Sequence, residues 1–173
     1  GTARLRIDSS GRVLIGTSTE GELNADDLTI ATTGNTGLTI RSGTSSHGNI
    51  YFSDGTSGSA EYRGIINYAH NPDAMTFSTA GGERLRITSD GKLGLGETSP
   101  DFKFHSKETG GSSIAGLFET NQTDAYISFQ ASGTTASSTV RIGAVGDNFQ
   151  AFVNGAERLR IDSSGRILKG LTT

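Results

Sequence analysis

RLRIDSSGRVLIG, residues 4–16, returns as RLRITSDGKLGLG at 84–96 and as RLRIDSSGRILKG at 158–170. In the first copy Leu5 and Ile7 alternate with Arg4 and Arg6. Successive side chains of a strand point to opposite faces, so the alternation predicts one apolar face and one wet arginine face. Asp8-Ser9-Ser10-Gly11 follows, with residues suited to the early positions of a type I turn and a glycine suited to a closing position with φ > 0. Val13 and Ile15 then resume the alternation. The phrase therefore predicts a β-hairpin closed by Gly11, Gly91 and Gly165 in its three copies. Leu5, Ile7, Leu85, Ile87, Leu159 and Ile161 are its expected core, with Arg84 and Arg86 at least partly exposed. The third copy departs at Lys169, where Ile15 and Leu95 stand in the others.

The copies begin at residues 4, 84 and 158, so they lie 80 and 74 residues apart. Long, nearly regular self-similarity marks a modular array. Residues 1–16 read as the terminal hairpin of a preceding repeat, 17–96 as one unit and 97–173 as a second. The chain then reads as a segment of a longer protein. The interiors correspond as well: Gly37-Leu38 with Gly116-Leu117, residues 50–52 with 126–129, and residues 75–77 with 149–152. The loop at 66–74 is longer than its counterpart near Asp147. Gly/Ser/Thr runs at 55–60 and 132–139 read as loops. A single helical turn capped by Asn24 is expected within 21–28. The fold class expected is all-β, with about six short antiparallel strands in each unit.

Composition narrows the function. The chain is 32% hydrophobic, with 25 Gly and no Cys or Trp among its 173 residues. Without cysteine there is no disulfide framework, thiolate ligand or thiol nucleophile. A net charge of −3 gives no general basic excess for nucleic acid. No apolar run is long enough for a membrane-spanning helix. Small domains bury only about 60% of their unfolded surface, and these units are poor in apolar mass. Lacking disulfides and a convincing metal site, they are expected to depend on oligomerisation, which also covers exposed strand edges.

ERLRITSDGKLGLGETSP (83–100) and AERLRIDSSGRILKG (156–170) resemble repeats in long tail fibres and other virion structural proteins of phages, notably those infecting cyanobacteria, and in related trimeric adhesins. GLFETNQTDAYISF (116–129) and VRIGAVGDNFQAFVNGAERLRI (140–161) follow the same pattern in order. Such fibres often end in an intramolecular chaperone domain. The resemblance implies an intertwined homotrimer on a virion or otherwise outside a cell. Its partners would be its own copies, neighbouring fibre segments and a host cell-surface glycan. Lys169, and Thr19-Glu20 where the second unit has Ser99-Pro100, depart from the pattern.

Chemistry-bearing motifs are sparse. His47, His70 and His105 fall in no zinc or metalloprotease spacing. Glu20, Glu22, Asn24, Asp26 and Asp27 form an oxygen-rich stretch without EF-hand spacing. No paired carboxylates are placed for glycan cleavage. The expectation is a non-enzyme with no cofactor and no metal. A surface-polysaccharide depolymerase and a bacterial trimeric adhesin are the alternatives. If a glycan binds, the variable loops supply the best candidates: Tyr51, Tyr62 and Tyr68 as stacking faces, with His70, Asn71 and Asp73 as hydrogen-bonding groups. The plainer reading packs these tyrosines between strands and chains.

Overall fold

A computed structural model describes residues 4–170 apart from 113, 135, 137 and 138. The chain is all-β. Fourteen strands lie in three sheets among the described residues, with one short 3-10 turn at Gly58–Tyr62. No helix among them is long and apolar enough to cross a membrane. Two compact units divide between residues 105 and 106.

The first sheet holds β1 (Leu5–Ile7), β2 (Val13–Ile15) and β3 (Leu28–Ile30). The second runs in chain order through β4 (His47–Phe52), β5 (Gly64–Ala69), β6 (Ala74–Thr79), β7 (Gly82–Ile87), β8 (Leu93–Leu95) and β9 (Phe104–Ser106). The third, also in chain order, holds β10 (Asp124–Ser128), β11 (Arg141–Val145), β12 (Asn148–Val153), β13 (Ala156–Ile161) and β14 (Ile167–Lys169). β3 departs from the antiparallel expectation, joining β2 in parallel with Leu14 opposite Thr29. The turn expected at 21–28 is not helical. The Ala25 N–H donates to the Glu22 carbonyl, and the Glu22 carboxylate accepts from the Asn24 N–H.

The three copies of the phrase form hairpins in equivalent register, with Leu5 opposite Ile15, Leu85 opposite Leu95 and Leu159 opposite Lys169. Gly11, Gly91 and Gly165 close them at φ of 84°, 72° and 78°. In each copy the glycine N–H reaches the carbonyl three residues back, at 2.8–3.1 Å. Asp8 organises the first turn. Its carboxylate accepts from the Ser10 and Arg12 N–H groups and from Arg12 Nε. Asp162 does the same for the third. In the second, the Thr88 hydroxyl takes the Lys92 N–H.

A bulge lies within each of the two complete copies of the ERLR motif. Phe77 faces Leu85 while Ser78 faces Glu83, so Arg84 is the extra residue. Ala151 faces Leu159 while Phe152 faces Glu157, so Arg158 is extra there. An extra residue shifts the side-chain phase by one. Glu83 therefore lands beside Arg86, accepting two hydrogen bonds at 2.8 and 2.7 Å. Glu157 holds Arg160 identically, at 2.9 and 2.7 Å.

The turns before these strands have two residues each. Asn154 and Gly155 stand at φ 55° and 73°, Ala80 and Gly81 at 53° and 76°. Both central residues of a type I′ turn need φ > 0, which suits Asn-Gly and penalises alanine. Ala80→Asn, copying the Asn154 turn, should stabilise the fold by about 0.5–1 kcal/mol. A lower denaturation midpoint for the variant would contradict this turn geometry.

Candidate functional site: the uncovered apolar sheet faces

Alternation along β4–β8 sorts the second sheet into two unlike faces. Register places Ile50 beside Ile66, Ile66 beside Phe77, Phe77 beside Leu85 and Leu85 beside Leu95. A parallel row joins Tyr68, Met75, Ile87 and Leu93. This face is continuous and apolar, yet Ile50, Phe52, Tyr68, Met75, Ile87 and Leu95 are all exposed. The third sheet repeats the arrangement. Ile127 faces Ile142, Phe149 faces Ile161, and Ile161 faces Ile167, and all five are exposed.

The covered face is the other one. Ala69, Ala74 and Thr76 are buried, Thr76 at 8% exposure. Asn67 Nδ2 donates to Asn49 Oδ1, and Thr76 Oγ1 lies 3.4 Å from Asn67 Oδ1. His47 joins the row through Asn67 at 3.1 Å. In the third sheet Gln150 is buried and accepts from the Tyr126 hydroxyl at 3.0 Å. The Arg141 guanidinium lies 4.7 Å from the Tyr126 ring and 4.0 Å from the Phe152 ring. Residues 97–100 fold beneath β8, where a Cβ on Gly94 would run into the Glu97 carbonyl.

This arrangement corrects the expected core. Leu5 and Ile7 are 62% and 68% exposed, Ile87 and Ile161 are exposed, and Leu85 and Leu159 are only half-buried. The arginine face is not uniformly wet either. Arg86 and Arg160 are half-buried and paired, whereas the bulge residues Arg84 and Arg158 are exposed. The hairpin residues do share a face, but the chain covers the opposite face itself.

The glycan candidates separate into groups. Tyr68, His70 and Asp73 come together: the Tyr68 and His70 rings meet edge-on at 5.1 Å, and the Tyr68 hydroxyl donates to Asp73 at 3.2 Å. The Asp73 charge raises the Tyr68 phenol above its ordinary pKa. Asn71 sits exposed in the same connection. Tyr51 lies on the opposite face of the sheet, facing Ile65, and Tyr62 ends the 3-10 turn. The six residues therefore do not form one site. In the acidic stretch, Asp26 pairs with Arg12 at 2.8 Å and Glu20 approaches it at 3.9 Å, so these carboxylates serve the first hairpin. The Asn49–Asn67–Thr76 row escaped the sequence reading, although polar residues at period two on three successive strands signal it.

Comparison with known proteins finds no family model that matches the chain and no similar curated protein.

The turn carboxylates give the fold a pH dependence. Asp8 is held below the usual carboxylate range, chiefly by the Arg12 guanidinium; Asp90 chiefly by the Thr88 hydroxyl; Asp162 chiefly by the Arg166 N–H. A depressed carboxyl pKa stabilises the fold while the group is ionised, and that contribution is lost as pH falls through the folded-state value. The melting temperature should therefore fall between about pH 5 and pH 2. Asp8→Asn with Asp162→Asn should flatten that fall. An unaltered pH profile in the double variant would contradict the assignment.

Proposed function

We propose that this chain is a structural and adhesive segment of an extracellular trimeric fibre, in which tandem β units act as spacer and display module and catalyse no reaction. The apolar faces of the second and third sheets carry this reading. The chain exposes 12733 Å², against about 8,000 Å² for a compact chain of its mass and about 9,700 Å² for two separate compact units. Obligate assemblies bury roughly 2,000–5,000 Å², which is the scale of the excess. Contiguous exposed apolar patches of this kind mark association surfaces. A three-fold number and a virion or cell-surface setting come from the resemblance of the ERLRI repeats to phage tail fibres and trimeric adhesins. A host-surface glycan is the external partner of this reading, met by the β5–β6 connection that carries His70, Asn71 and Asp73.

Two measurements test it together. The melting temperature should rise with protein concentration, because only the assembled state covers these faces. Incubation with bacterial surface polysaccharide should release no new reducing ends. A concentration-independent melt would reject the assembly, and released reducing ends would favour a depolymerase.

A further inference from the structure

Residues 35–43 run straight, with no turn or bend, and join no sheet. Among the described residues, the backbone of 37–41 has no hydrogen-bonded partner. Residues 116–120 repeat this state ahead of the third sheet. Each segment shortly precedes the first strand of its sheet, and among the described residues β4 and β10 each leave one edge unpaired. An unpaired N–H and C=O ladder is a template for another strand, and unsatisfied backbone is costly to bury. The segment does not serve its own edge. Ile40 lies over the apolar face instead, 3.5 Å from where a Cβ on Gly48 would stand, and lines a hollow of about 240 Å³ with Ile50, Ile66, Tyr68 and Met75. Leu117 and Phe118 line a hollow with Ile127 and Ile142 in the third sheet. They remain highly exposed, Leu117 at 78%.

We infer that residues 37–41 of one copy add as a strand to the free edge of β4 in the next copy. Residues 116–120 do the same at β10. The inference rests on the trimeric reading and names its contacts. The occupant is a second copy because each chain carries both an unpaired segment and an unpaired edge, of similar length, in both units. Three heterologous contacts of this kind close a ring in which every β4 edge is paired. Leu38 and Ile40 then share the apolar face with Ile50 and Phe52, while Thr39 falls on the side of His47, Asn49 and Tyr51.

The chain has no cysteine, so an introduced pair is read without background. Thr39→Cys is combined in turn with His47→Cys, Asn49→Cys and Tyr51→Cys, and each variant is oxidised. In one register, covalent dimers and trimers of the 18.0 kDa chain are expected on a denaturing gel. Mixing the two single variants of that pair before assembly should give disulfide dimers joining one variant to the other. A native mass three times the chain with no covalent species in any register would overturn the strand addition and leave the trimer standing. A disulfide within one chain would assign the segment to its own β4 and also overturn it. A monomeric mass for the parent chain would remove both readings. Amide exchange on the parent chain covers variants that fail to fold. Residues 38–41 should exchange at least tenfold more slowly than an unstructured peptide, and exchange at the peptide rate would refute the inference.

Discussion

Ile50→Asp combined with Ile87→Asp should give a chain of 18.0 kDa that no longer associates and, without the cover of its copies, melts below the parent. Both side chains are exposed in the single chain, so replacing them removes little burial from its own fold. In an assembly that covers this face, each carboxylate is buried without a partner, at a cost of roughly 3–5 kcal/mol apiece. Ser89→Asp, on an exposed turn, is the control and should change nothing. The readouts are mass in solution and the far-ultraviolet β signal. Retention of the parent mass and melting temperature by the double variant would show that this face is solvated in the working protein.

The second large effect comes from one register position carrying different residues in different copies. Leu14 is opposite Arg6, Gly94 opposite Arg86 and Leu168 opposite Arg160. Among the described residues Leu14 is the largest side chain that the single chain buries completely, at 1% exposure. Leu14→Ala should cost roughly 2–5 kcal/mol. Gly94 is buried too, but residues 97–100 occupy the space a side chain would need, with the Glu97 carbonyl and the Pro100 ring against it. Gly94→Leu, which copies the first hairpin into the second, should therefore destabilise by about 3 kcal/mol or more. Parent-like denaturation midpoints for both variants would mean that these positions lie outside the packed face.

These positions show how far the fold was legible. The hairpin phrase could be read directly, because alternation specifies which residues share a face and the Asp/Ser/Gly run specifies the turn. Alternation does not say which face the chain covers for itself. That was decided by residues 97–100 folding under Gly94, and by the Asn49–Asn67–Thr76 row satisfying its polar groups on the covered side. The bulges at Arg84 and Arg158 were invisible for a related reason. A strict period of two puts Glu83 with Leu85, and only the extra residue brings it to Arg86. The parallel pairing of β3 depends on the path of residues 17–27, where no periodic signal exists. Of the glycan candidates, Tyr68, His70 and Asp73 met because they flank one short connection. Tyr51 lay in the same period-two frame with its parity pointing to the opposite face.

The central claim is that the apolar sheet faces are covered by further copies of this chain. Light scattering coupled to size exclusion tests it most directly. We expect a single species of about 54 kDa, three times the 18.0 kDa chain, persisting at micromolar concentration as an obligate assembly should. A stable, folded species of 18.0 kDa at that concentration would contradict it.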